Sequence, residues 1–220
     1  MSCKLLKFCY NHYRYMENKE QVPEIEKMMQ EDPKNQEGGI FAFIGELIKI
    51  ALISLAIIVP VRYFLIKPFY VNGASMEPSF YNHEYLIVDE ISYRFSSPQR
   101  GDVVVFKYPR DLSQFFIKRI IGLPGERVVV SNGEVYIYNS KNTEGVALDE
   151  KYIPAYIKTF GDIDLVLKKQ EYFVLGDNRT ASLDSRRFGA LSKDFIIGKA
   201  WIRGWPLDRI EILSHYSFGF

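Results

Sequence analysis

Cysteine is almost missing from this chain of 220 residues: Cys3 and Cys9 are the only two, so nothing beyond residue 9 can close a disulfide of its own. A metal site on that pair would need two more ligands, and only His12 stands nearby. Reduced, incidental thiols in a reducing compartment explain the pair better, and the sequence points to neither a metal nor any other cofactor. Histidine is equally sparse, with His12, His83 and His215 too scattered to suggest a catalytic imidazole. Neither sign of charge is in excess: a formal net charge of +1 leaves no basic domain or stripe of the kind nucleic acid requires, so nucleic acid is set aside as a partner. Internal repeats and low-complexity tracts are lacking too. Apolar residues are not, and at 47% hydrophobic and 15% aromatic the chain can fill one sizeable domain plus an appendage.

Long apolar runs are confined to one place. From Ile40 to Val61 the only charges are Glu46 and Lys49, and as a helix this stretch spans about 33 Å, one hydrocarbon thickness. Because it is apolar on every face, it reads as a transmembrane helix rather than the half-buried helix of a soluble protein. Residues 1–39 are polar, with Pro23, Pro33 and Gly38-Gly39 as breakers, and read as a short helix or two and a linker. Arg62, Tyr63, Lys67, Pro68 and Tyr70 supply the charged and aromatic residues expected at a membrane interface. The charges do not orient the helix, since Lys27 and Lys34 on one side are balanced by Arg62 and Lys67 on the other.

Beyond residue 70 the periodicity is that of strands. Residues 84–89, 102–107, 115–121, 126–130, 134–138, 171–175, 196–202 and 209–213 are short runs rich in β-branched and aromatic residues, bounded by turn residues. Asn132-Gly133, which tolerates positive φ, marks a tight hairpin between two of them. Residues 139–169 break the rhythm and look like an insertion on the outside of the sheet. The fold class expected is mainly β: an antiparallel, barrel-like domain over 62–220, with an inserted β-rich region and one preceding transmembrane helix.

Two residues suggest chemistry. Ser75 follows the apolar run in Val71-Asn72-Gly73-Ala74-Ser75-Met76-Glu77-Pro78, where small and rigid neighbours leave room for another backbone to approach. Lys118 lies mid-strand in Phe115-Phe-Ile-Lys-Arg-Ile-Ile121, sharing a face with Phe116 and Ile120, while Arg119 faces the other way. One of these two basic residues must point inward. A lysine on an apolar face loses its proton more readily than the free value of about 10.4, and keeping it neutral near pH 8 asks the fold for about 3 kcal/mol of desolvation. A neutral amine beside a serine is a general base. The strand alone supports equally a lysine that snorkels out at a sheet edge beside an ordinary loop serine.

Ser75-Met76-Glu77-Pro78 resembles the Ser-Met-x-Pro box of bacterial type I signal peptidases, and Phe116-Ile-Lys118-Arg-Ile-Ile-Gly122-Leu-Pro124-Gly125-Glu126 resembles their lysine box. Gly176-Asp177-Asn178-Arg179, followed by Ser182, Asp184, Ser185 and Arg186, is similar to the third box. Order and spacing agree from about residue 40 to 205, and three boxes together are far more specific than any one. The resemblance implies a Ser/Lys serine endopeptidase of the cell membrane, with residues 1–39 cytoplasmic and the β-domain extracytoplasmic, that cuts signal peptides from exported preproteins after a small-x-small motif. It makes Ser75 the nucleophile and Lys118 the general base. It also implies that Ser182 bonds the lysine amine, with Asp184 and Arg186 paired behind it.

Gly73 stands where some members carry a serine that helps stabilise the oxyanion, so main-chain amides around Gly73 and Ser75 are expected to form that hole, and Gly73→Ser would add a donor. Thr180-Ala181 replaces the Asp-Asn common in the family. A peptide adding to the sheet edge beside Ser75 would place alternate side chains in shallow pockets, whose expected walls are Phe69, Val71, Tyr85, Ile87 and Val103 or Val105. Trp201 and Trp205, with Phe218 and Phe220, either seat the domain on the lipid bilayer or belong to the core. Two other readings compete: a self-cleaving Ser/Lys protease, against which the apolar helix argues, and a non-catalytic membrane-anchored binding domain.

Overall fold

The computed structural model describes residues 39–60 and 66–218. The expectations for residues 1–38, Arg62, Tyr63 and Phe220 lie outside the described residues. Helix α1, Gly39–Pro60, covers the apolar run and is long and apolar enough to cross a membrane. The chain divides into two compact units at Ala56/Ile57, and all the strands belong to the second.

That second unit is mainly β, as the alternation implied. Strand β1 (Ile66–Tyr70) leads into a loop and β2 (Tyr85–Asp89), then a single turn of helix, α2 (Ser92–Phe95), β3 (Val103–Tyr108) and β4 (Asp111–Gly122). Next come β5 (Arg127–Ser131), β6 (Glu134–Tyr138), β7 (Val146–Ala147), β8 (Ile163–Val166) and β9 (Glu171–Leu175). The short helix α3 (Ser185–Phe188), β10 (Leu191–Ser192), β11 (Ile196–Trp205) and β12 (Glu211–Ile212) complete the order. The large sheet runs β1-β2-β11-β3-β4-β9-β10, with β12 also on β11, and the small one runs β7-β6-β5-β8. Every pairing is antiparallel.

Side-chain pattern and position agree strand by strand. Central β3 is buried on both faces from Val103 to Phe106, which is why it reads as a continuous apolar run. By contrast β2, β5 and β6 alternate, burying Leu86 and Val88, Val128 and Val130, and Val135 and Ile137. Pro68 lies in β1 at the sheet edge, where its missing N–H costs no ladder bond. Asn132 and Gly133, with φ of 55° and 83°, make the two-residue turn that fixes the β5–β6 register at Ser131 opposite Glu134.

The region set apart from the large sheet is wider than the 139–169 expected. Strands β5 and β6 pair with β7 and β8 rather than with the large sheet, so the small sheet takes in residues 127–166. Its valines read like any half-buried strand, and only pairing assigns them a sheet. Val128, Val130, Val135 and Ile137 pack with Ile121, Phe173, Leu175 and Phe218 into one core cluster. Phe218 thus belongs to the core, whereas Trp201 and Trp205 remain 42% and 50% exposed.

The two sheets meet at Gly122, the last residue of β4. A Cβ there would come within 2.5 Å of Val128 Cγ2, 2.8 Å of Leu167 Cδ1 and 2.9 Å of Phe173 Cβ. All three neighbours are buried. Gly122→Ala is therefore expected to cost about 1–3 kcal/mol, read as a lower Tm in thermal unfolding of the protein in detergent; an unchanged Tm would contradict this packing.

Candidate active site

Ser75 sits in the loop between β1 and β2, and the loop is fixed at both its base and its middle. At the base, Val71 N donates to Glu84 O (2.8 Å) and His83 N donates to Val71 O (2.9 Å). Further in, Glu77 N and Phe80 N donate to Ala74 O and Met76 O, forming a turn that buries Met76 and Phe80 beneath the serine. Asn178 reaches across from the segment after β9, donating from its main-chain N to Ser75 O and from its side chain to Ala74 O, each at 3.1 Å. Ser75 is thus held by its own carbonyl, which leaves its hydroxyl to face Lys118.

Lys118, in the middle of β4, is only 3% exposed and donates to Ser75 Oγ and to Ile117 O, both at 2.8 Å. Burial lowers its pKa from 10.5 to about 8, against the opposing pull of the Asp184 and Asp177 carboxylates. Arg119 is buried as well, on the opposite face of the strand, so both adjacent cations are enclosed. The guanidinium can be buried because it forks onto Asp177 at 2.9 and 2.7 Å and lies 4.2 Å from the centre of the Tyr152 ring. Among the described residues the amine has no such carboxylate partner.

Ser182, Asp184 and Arg186 lie behind this pair. Arg186 binds Asp184 through Nε and Nη2, both at 2.8 Å, and also donates to the carbonyls of Phe160 and Arg179. Burial pushes the Asp184 carboxyl up, but bonds from Arg186 and Gly176 N and the proximity of Ser182 hold it below the usual value. Ser182 does not bond the lysine amine: its hydroxyl is buried without a partner in hydrogen-bonding geometry, and the Ile117 carbonyl takes that place. Gly176 lets these pieces approach, since a Cβ there would collide with Ser182 Oγ and the Ser75 carbonyl.

The expected oxyanion donors need revision. Gly73 N donates to Asn82 Oδ1 at 2.9 Å, so it is committed to holding the loop. Ser75 N is bonded to no acceptor among the described residues and remains the available amide. Gly73 has φ +101°, a conformation that strains any L side chain, and Gly73→Ser would distort the loop rather than simply add a donor.

Beside Ser75 lies a cleft of about 250 Å³ whose walls include Phe69, Val71, Leu86, Val105, Phe115 and Leu183. Phe69, Val71 and Val105 were expected there. Tyr85, Ile87 and Val103 are not among its walls: in β2 the alternation runs the other way, turning Leu86 inward, and Val103 packs deeper, with Met76 and Phe80. Leu183 could not be found from strand parity, because it comes from the loop that carries Ser182.

Residues 44–205 match the protein family described as signal peptidase, peptidase S26. A probable signal peptidase I-2 of Synechocystis sp. is 37% identical over 177 residues, 77% of this chain and 77% of its own. The chain belongs to this family. Signal peptidase I P of Bacillus subtilis subsp. natto is 35% identical over 178 residues, 76% of this chain and 92% of that one. A solved signal peptidase I from Enterococcus faecalis V583 shares 34% identity over 47% of this chain and 97% of its own, with a TM-score of 0.40.

The signal peptidase family box around Gly176 reads in sequence as a polar turn, yet Asp177 and Arg179 are buried and each is ion-paired, to Arg119 and Glu150. Two charged residues within four positions, directly after a buried strand, were the available signal. Lys118 itself carries a testable cost. Between pH 8 and 10.5 the unfolded chain binds its proton and the folded chain does not, so stability rises with pH across that window. Lys118→Met is accordingly expected to raise stability at pH 7 by about 3 kcal/mol, with the gain shrinking as the pH rises from 8 towards 10.5. Denaturant unfolding of both proteins at pH 7 and pH 10 checks this, and a gain that does not depend on pH would contradict it.

Proposed function

We propose that this chain is a membrane-tethered serine endopeptidase that removes signal peptides from exported preproteins after a small-x-small motif, with Ser75 as nucleophile and Lys118 as general base. The observation that carries the reading is the 2.8 Å contact between the Lys118 amine and the Ser75 hydroxyl, made where burial lowers the amine's pKa to about 8. In the neutral form the amine takes the Ser75 proton as Oγ attacks the scissile carbonyl. The ammonium then returns that proton to the departing amine, and water repeats the sequence on the acyl-enzyme. The Ser75 amide is the donor best placed for the oxyanion, and Ser182, Asp184 and Arg186 order the segment beside the dyad without bonding the lysine amine.

The substrate class follows from the cleft and from family membership. Edge strand β1 and the outer half of β4 flank the cleft, so an extended peptide can add main-chain hydrogen bonds there. The apolar walls, Phe69, Phe115 and Leu183 among them, suit small apolar side chains. Helix α1 supplies the tether, the half-exposed Trp201 and Trp205 suit contact with the bilayer, and the N-terminal segment is assigned to the cytoplasm with the β-domain on the far side.

Ser75→Ala and Lys118→Arg are each expected to lower cleavage of a preprotein in detergent by at least a thousandfold while leaving circular dichroism unchanged, since arginine keeps its charge and cannot serve as a base. The cleavage rate of the unaltered protein on an Ala-x-Ala peptide should rise with pH through a midpoint near 8, because only the deprotonated amine is active. Activity surviving either substitution would remove the mechanism, and no cleavage by the unaltered protein would favour a binding domain.

A further inference from the structure

The small sheet contributes nothing to the cleft, yet the segment between its strands β7 and β8 reaches the segment after β9 that grips the Ser75 loop. Arg179 is the link. Its side chain is buried, and every one of its guanidinium nitrogens is engaged: Nη1 donates to Glu150 Oε2 (2.6 Å) and Thr159 Oγ1, and Nη2 to Glu150 Oε1 (2.5 Å) and the Tyr152 hydroxyl (2.7 Å). Nε turns the other way and donates to Gly176 O at 3.0 Å. The Tyr152 hydroxyl donates to Glu150 Oε1 at 2.6 Å, and the Tyr152 ring carries the Arg119 guanidinium on its face. Three residues of the inserted segment therefore hold both arginines next to the dyad: Arg119, adjacent to Lys118, and Arg179, adjacent to Asn178.

From Arg179 the connections to the reacting hydroxyl are short. Asn178, its neighbour in sequence, grips Ser75 O and Ala74 O, while the Arg179 carbonyl accepts from Arg186 Nη2 at 2.8 Å, tying in the Asp184 pair. Tyr216 closes the outer side of the segment: its ring lies 4.8 Å from that of Tyr152, its hydroxyl accepts from Lys151 N (3.1 Å) and it donates to Asp149 O (3.0 Å). Such a layer over a buried cation is costly to leave incomplete, and an arginine deprived of its carboxylate must find another partner. The other carboxylate acting on Arg179 is Asp177, the residue before Asn178 and the partner of Arg119, so a released guanidinium would pull on the turn that places Asn178.

We propose that Glu150, assisted by Tyr152 and Thr159, is a positioning residue for the cleavage reaction: by fixing Arg179 it sets Asn178 and thereby the distance between Ser75 and Lys118. This rests on the function proposed above, and it gives the inserted segment a part in catalysis without any contact with substrate.

The test uses the full-length protein in detergent with an Ala-x-Ala peptide. Glu150→Gln keeps the size of the side chain and removes the charge, and Tyr152→Phe removes only the hydroxyl. In both, kcat is expected to fall about tenfold or more with KM unchanged within a factor of two, at a temperature where circular dichroism shows each variant folded. Glu150→Gln combined with Asn178→Ala should be no slower than Asn178→Ala alone, because both act through the same contact. Arg127→Ala, which breaks an exposed pair with Asp164 elsewhere on the small sheet, should leave kcat unaltered. A kcat unchanged in folded Glu150→Gln, a rise in KM alone, or full additivity with Asn178→Ala would each overturn the proposal. Failure of the unaltered protein to cleave would instead strike the function on which it rests.

Discussion

A cation enclosed without a carboxylate of its own among the described residues is the constraint from which the rest of this site follows. The β-domain could have paired Lys118, as it pairs Arg119, Arg179 and Arg186, and a paired lysine would stay protonated. Two carboxylates do lie close enough to favour the charged amine, Asp184 and Asp177. Each is claimed by an arginine fork, Arg186 on one and Arg119 on the other. Those pairs blunt the pull of the carboxylates on the lysine and let burial prevail. The arginines are therefore as much a part of the amine's chemistry as its apolar surroundings.

The same economy governs placement. Ser75 is contacted by its carbonyl, Lys118 donates to the oxygen of the preceding residue, and Gly176 supplies the gap in which Ser182 and the Ser75 carbonyl come together. None of these contacts uses the Ser75 hydroxyl, the group proposed to attack. Rigid main-chain fastening with one side-chain atom left over is what preorganisation requires, because no reorganisation is then needed as charge develops.

Strands with clear alternation, such as β2, β5 and β6, were legible from their valines and aromatics, and the Asn132-Gly133 turn fixed a hairpin on local chemistry alone. Lys118 stood out for the same local reason, a charge inside an apolar strand. What could not be read depended on pairing between distant segments. The valines of β5 and β6 do not reveal which sheet they join, and a shift of one residue in β2 exchanges Leu86 for Ile87 at the cleft. Asn82 and Asn178 look like ordinary loop residues until the main chain they hold is seen. Glu150 is one acid among many on a polar stretch, and only its ion pair with buried Arg179 distinguishes it.

Because the acidity of Lys118 comes from enclosure rather than from a fixed neighbouring charge, it exists only in the finished fold. Of the two strands that flank β4, β3 is its hairpin neighbour but β9 follows only after the whole small sheet, and such long-range pairing is slow to assemble. Before they close around β4 the amine is wet, protonated at neutral pH and unable to accept a proton. If Lys118 is the base as proposed, a newly made chain is thus a silent protease, unable to cut itself or its neighbours until the enclosing sheet is complete.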